Sequence, residues 1–239
     1  MFFLLPAILL LGAIAGPILI VLVAVSPIDV VRAFSASSAQ DAVRVSLLAS
    51  IGATAVATLL GVPAGYWLSR ANRHISAPWL FVLALPLAFP PVASGILLLS
   101  VLRGTPVPDS IWGVALAEFF VSGSFVAIAA TAAFSALDPV YEEAARTLGV
   151  SEWRIFRSIA LPAAASNVTA GIVFAWLRAM GEYGATSVVA YHPTSLPVAL
   201  YVALSASGVR EALALTYGFV MLAVAVLAIQ WILRRRVVV

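Results

Sequence analysis

The chain has 239 residues, of which 63% are hydrophobic and only 10% charged, with a mean hydropathy of +1.11 and a formal net charge of +3. This balance excludes a soluble globule of that size and points to an integral membrane protein. With no Cys, and with His74 and His192 expected in loops on opposite sides of a membrane, disulfides, thiol catalysis and a Cys- or His-based metal site are excluded or disfavoured.

The first apolar stretch, residues 1–28, contains no Asp, Glu, Lys or Arg and is long enough to cross a hydrocarbon core of roughly 30 Å. Ala13-Ile14-Ala15 resembles a signal-peptide cleavage site. No basic segment precedes it and the apolar run continues past it, so a retained helix is expected. Residues 26–42 are polar and Ser-rich and read as a loop. Uncharged residues 45–69 and 75–102 make the second and third spans. In the third, Pro86, Pro90 and Pro91 remove backbone donors at mid-membrane depth, which is tolerated only against protein or along a water-lined path. Pro90, Pro91 and Ser94 are therefore candidates for a translocation path, the other reading being a static kink that improves packing. Residues 104–110 form a turn and 119–137 a fourth span, with Glu118 placed to reach the interface. Trp67, Trp79, Trp112 and Tyr66 lie near span ends and read as interfacial anchors.

A polar island follows at residues 138–162. Asp138 can cap a helix with Pro139 at its first position, Glu142 and Glu143 suit the positive N-terminal end, and Gly149 can take the left-handed turn that stops it. A second helix can start at Ser151, and Leu161, preceding Pro162, is pushed from helical geometry so that the chain should bend there. As an ordinary connector, the first helix would carry Glu142 and Arg146 as an exposed i,i+4 pair of little consequence.

A fifth span is expected over residues 167–189, interrupted only by Arg178 and Glu182, which share one helix face and can cancel much of each other's cost. Pro193 and Pro197 break residues 191–211, where 198–206 can form a short surface helix. Residues 212–233 make the last span. The result is an all-α membrane protein of about six transmembrane helices, a single domain over 1–239 with the 138–162 loop inside it.

All thirteen basic residues are Arg. With both termini inside, the inner segments hold Arg70, Arg73, Arg146, Arg154, Arg157, Arg234, Arg235 and Arg236, and the outer ones Arg32, Arg44, Arg103 and Arg210. Eight inside against four outside satisfies the positive-inside bias and places the polar island in the cytoplasm; the plasma membrane is the expected location. No soluble basic face is present, so nucleic acid is not an expected partner; membrane lipid is. A phosphate-cradling loop of the Gly-x-x-x-x-Gly-Lys type is impossible without lysine, so ATP, if used, is hydrolysed by another chain.

Glu143, Ala144, Ala145, Gly149, Ile159, Leu161 and Pro162 stand at the spacing of the EAA loop, and in this the chain resembles permease subunits of ABC importers. The resemblance implies a cytoplasmic coupling helix at residues 140–148 that sits in a groove of an ABC ATPase subunit. It implies ATP and Mg on that ATPase and no cofactor or metal in this chain, an external solute-binding protein, and a second permease copy forming a homodimer. From about Val43 onward the chain is most similar to permeases for molybdate and tungstate, close to those for sulfate, through Leu85-Pro86-Leu87-Ala88-Phe89-Pro90-Pro91-Val92 and Arg178-Ala179-Met180-Gly181-Glu182-Tyr183-Gly184-Ala185-Thr186. In that setting Ser94 could offer a weak hydrogen bond to a passing anion. Arg178 could attract an oxyanion whose retention Glu182 limits, although a buried pair that fixes helix packing or the dimer seam is the simpler role.

Overall fold

A computed structural model describes residues 4–237, and the side chains as far as Ile232. Arg234, Arg235 and Arg236, which weigh in the orientation of the chain, lie outside the described side chains. Among the described residues, five helices are long and apolar enough to cross a membrane, and a bent pair brings the count to six.

The first span is α1 (Leu4–Ala24), which buries none of its residues within the chain. Residues 26–42, expected to be a loop, are mostly helical. Ser26 accepts a hydrogen bond from the Ile28 amide and Pro27 takes the first turn, so α2 (Pro27–Ser35) is capped in the ordinary way. The second span then begins eight residues earlier than hydropathy alone suggests, as α3 (Ser37–Arg70). At about 1.5 Å per residue it is far longer than the hydrocarbon core, so its ends reach beyond the lipid.

The third span is broken rather than kinked. Phe89 precedes a proline and is extended, Pro90 donates no hydrogen bond, and α4 (Arg73–Ala88) meets α5 (Pro91–Leu102) at 107°. The fourth span, α6 (Ile111–Ser135), is packed along a seam of small residues on α3. A Cβ on Gly65 would lie 2.6 Å from the Ala130 Cβ and 2.8 Å from the Thr131 amide, and one on Gly61 would lie 3.1 Å from the Ala127 amide. Small residues let the two backbones approach, which is how helices associate where lipid supplies no hydrophobic drive.

After α7 (Val140–Thr147), the chain runs through α8 (Glu152–Ile155), a π-helical turn (Phe156–Ala160) and α9 (Leu161–Met180) without the bend expected at Leu161. Leu161 is helical at φ −63° and ψ −46°, and its amide reaches the Phe156 carbonyl five residues back. The wider π turn absorbs Pro162, whose ring would otherwise strike the carbonyl of a preceding α turn. The fifth span is thus displaced toward the N-terminus of the 167–189 segment. It ends at Met180, and Gly184–Val189 forms a separate short helix, α10. The surface helix expected at 198–206 is α11 (Leu196–Ser207), joined through Gly208 to α12 (Val209–Val237).

At one end of the bundle, aromatic rings close the core. Tyr66 lies 5.3 Å from Phe134 and 5.1 Å from Phe156, ring centre to ring centre, joining α3, α6 and the π turn. Tyr66 was expected as an interfacial anchor; the structure turns it inward instead. At the opposite end Asp109 accepts from the Tyr191 amide, and Asp29 on α2 meets Arg210 on α12 at 3.8 Å.

Candidate functional site

Asp138 accepts a hydrogen bond from the Val140 amide at 3.0 Å and so starts α7. The helix stops because Gly149 adopts φ +75°. Its amide bonds the Arg146 carbonyl and the Val150 amide bonds the Ala145 carbonyl, the paired bonds of a Schellman ending. Both features were legible in the residues.

The face that α7 turns inward was not. Glu142, which in an ordinary connector would stand in an exposed pair with Arg146, is 1% exposed. Its Oε1 accepts from Arg70 Nη2 at 2.5 Å, and its Oε2 from Arg70 Nε at 3.0 Å and from the Tyr66 hydroxyl at 3.0 Å. Arg146 does reach Glu142, at 3.3 Å, but its closer partner is Glu152 at the start of α8, at 2.6 and 3.1 Å. Arg70 also donates to the Phe134 carbonyl at 3.1 Å and stands 5.7 Å from the Tyr66 ring centre. Burial pushes the Glu142 carboxyl up, but the hydrogen bonds from Arg70 and Tyr66 and the charges of Arg70 and Arg146 more than reverse this and hold it below the usual Glu range. Arg146 is raised, chiefly by its hydrogen bond to Glu152.

Of the loop residues singled out in the sequence, Ala145 is buried against the chain's own core, while Glu143 and Ala144 are exposed. Ile159 is half-buried, Leu161 packs on the cluster around Phe134 and Phe156, and Pro162 is exposed in the first turn of α9. The outer face of α7 is bare: Tyr141 is 70% and Leu148 82% exposed, beside Val140, Glu143 and Ala144. One side of this helix is locked to its own chain and the other presents one aromatic ring, aliphatic and small side chains and the Glu143 carboxylate to whatever lies beyond.

The second group, near the other end, comes together through close backbone contact. A Cβ on Gly184 would lie 2.7 Å from the Pro91 Cβ and 3.0 Å from the Val92 amide, and one on Gly95 would lie 2.9 Å from the Ala185 Cα. The start of α5 is therefore pressed against α10. Glu182 pairs with Arg178 and accepts the Ala185 amide at 2.8 Å, so its carboxylate also caps α10. Pro90 and Pro91 are exposed, but Ser94 is fully buried, its hydroxyl without a hydrogen-bond partner. Glu118, expected at the interface, is 1% exposed instead, and its Oε2 has no partner. It sits on α6 between Ala117 and Val121, which pack with Leu98 of α5 and Ala185 of α10. Its position near a span end concealed this. None of these residues lines the open cleft of about 1010 Å³ between α2, α3, α11 and α12. Among the described residues, no three His, Asp or Glu side chains are grouped so as to hold a metal ion.

Residues 57–238 match the family described as the inner membrane component of binding-protein-dependent transport systems. The chain belongs to that family. Within it, the chain is 34% identical over 197 residues to a molybdate/tungstate transport system permease protein of Thermococcus kodakarensis, covering 82% of this chain and 79% of that one. It is 38% identical over 175 residues to a Haloferax volcanii protein named as a probable molybdenum ABC transporter permease. That match covers 70% of this chain and 65% of the relative, so the chain spans just under two thirds of its length. In fold, this inner membrane component is similar to the methionine ABC transporter solved in inward-facing conformations, at a TM-score of 0.69 and 16% identity over 81% of this chain and 93% of that one. Its helices are thus arranged as in a chain of that transporter, with α7 as the short helix between the fourth and fifth spans.

Proposed function

We propose that this chain is the permease subunit of an ATP-driven importer for a tetrahedral oxyanion of the molybdate and tungstate class. It works with ABC ATPase subunits that bind ATP and Mg, an external solute-binding protein, and a second permease copy. The observation that carries this reading is α7: a capped helix bound to its own bundle by Glu142, with Tyr141, Glu143, Ala144 and Leu148 left open on the outer face. The oxyanion assignment rests on the relatives.

The α7 end of the bundle faces the cytoplasm. Among the described side chains it carries Arg70, Arg73, Arg146, Arg154 and Arg157, against Arg32, Arg44, Arg103 and Arg210 at the other end. No bond is made or broken in this chain. Access changes sides only because ATP binds one state of the ATPase pair better than the other, and α7 passes that difference into the spans.

Uptake into vesicles holding the permease, its ATPase and its binding protein tests this. Labelled molybdate should enter only with ATP and be displaced by tungstate better than by sulfate. Uptake that follows an ion gradient without nucleotide would replace the reading with an ion-coupled carrier, and preferential displacement by sulfate would move the substrate to sulfate.

A further inference from the structure

Two routes lead from α7 into the membrane. The covalent one passes through Gly149, Val150 and Ser151 into α8, the π turn and α9. Gly149 takes a backbone few side chains favour, and the joint is braced by the Schellman bonds and by the solvent-facing Arg146–Glu152 pair, which tie α7 to α8 but not to α3 or α6. On that joint alone, a push on α7 would reach α8 and α9 without engaging α3 or α6.

The second route is not covalent. Resting on the importer reading above, we infer that the Arg70–Glu142 pair is the strut that carries displacement of α7 into α3 and α6, which makes Arg70, Tyr66 and Glu142 positioning residues of transport. The geometry suits the task. The Arg70 guanidinium engages both oxygens of the Glu142 carboxylate, a two-point contact that fixes angle as well as distance, where an apolar contact would slide. A third nitrogen of the same group holds the Phe134 carbonyl in the last turn of α6. Tyr66, one helical turn before Arg70 on α3, donates to Glu142 Oε2, the oxygen that also accepts from Arg70 Nε. A single side chain of α7 is thereby tied twice to α3 and, through Arg70, to α6, which is packed on α3 along a close small-residue seam. Neither Arg70 nor Tyr66 belongs to the 138–162 loop.

Removing one partner would strand a buried charge and endanger folding, whereas replacing both with apolar groups of similar volume is usually tolerated. The test therefore uses the paired variant Arg70→Met/Glu142→Leu in the full complex with its ATPase and binding protein, in vesicles. The strut predicts an intact assembly in which ATP consumed per molybdate imported rises by about tenfold, within the usual span of coupling energies. Because the chain has no native Cys, Arg70→Cys/Glu142→Cys can be joined by a short thiol-reactive bridge. Bridging should return the ratio toward that of the unsubstituted complex, and cutting the bridge should abolish the gain. Arg70→Lys, which keeps the charge but loses the two-point fork, should fall between. An unchanged ratio in the paired variant, or a parallel loss of hydrolysis and uptake unaffected by bridging, overturns the inference while leaving the importer reading intact. Absence of ATP-driven uptake by the unsubstituted complex would overturn both.

Discussion

Glu142 illustrates how one side chain can set the behaviour of a surface helix. An isolated carboxylate with 1% exposure would be expelled or protonated; here Arg70, Tyr66 and Arg146 supply the donors that water would have supplied. Because its folded value is depressed, Glu142 contributes stability that is present above the unfolded Glu range, about 4.3, and lost as pH falls through its lower folded value. Thermal unfolding of the detergent-solubilised protein should therefore drop more steeply below about pH 4.3 in the unsubstituted chain than in Glu142→Gln. Glu142→Gln should already be less stable at neutral pH by about 2 kcal/mol, having lost charge-assisted hydrogen bonds. Parallel pH profiles would show that this carboxylate contributes nothing to folding. The Asp138 cap and the Gly149 stop were legible because both are local, a matter of neighbours two to five residues apart. The burial of Glu142 was not, since its partners lie 72 and 76 residues away on α3, and Arg70 and Tyr66 at a span end have the composition of interfacial anchors.

The helices divide in the same way. Apolar runs without charge announced the spans, but their ends moved where tertiary contact outweighed local preference. Leu161 stays helical because a π turn widens the backbone ahead of Pro162, a device with no sequence signature of its own. The prolines at 86, 90 and 91 announced a disruption but not a 107° turn, beyond which α5 is pressed on α10. That contact leaves no room for side chains. Gly184→Ala would place a methyl 2.7 Å from the Pro91 Cβ, with backbone behind it at 3.0 Å. Overpacking of this kind costs about 1–3 kcal/mol, and the variant should show it as a lower thermal midpoint. Gly12→Ala on the exposed α1, where nothing lies within 4 Å, should show no such loss. Equal midpoints for the two variants would mean that α10 is not packed on α5 in the folded protein.

In the molecule as a whole, the fold has a locked end and a broken end. At the first, aromatic rings and the Glu142 network bind α3, α6, α7 and the π turn into one unit. At the second, short helices α5 and α10 meet around Glu118, Ser94 and Thr186, whose buried oxygens lack partners. Displacing a rigid unit against a discontinuous one offers a physical basis for alternating access, since packed elements shift between discrete arrangements rather than bending smoothly. The number of spans and the motif loop could be read from composition and spacing. The division between the two ends could not, because it depends on which small residues face one another across helices distant in sequence.

All of this depends on α7 facing the cytoplasm and meeting the ATPase there. In a chain with no native Cys, a thiol at Ala144→Cys, exposed on the outer face of α7, reports both at once to a membrane-impermeant maleimide. Labelling is expected only from the cytoplasmic side, with protection once the ATPase subunits are bound. Labelling from outside, or labelling that the ATPase leaves unchanged, would contradict it.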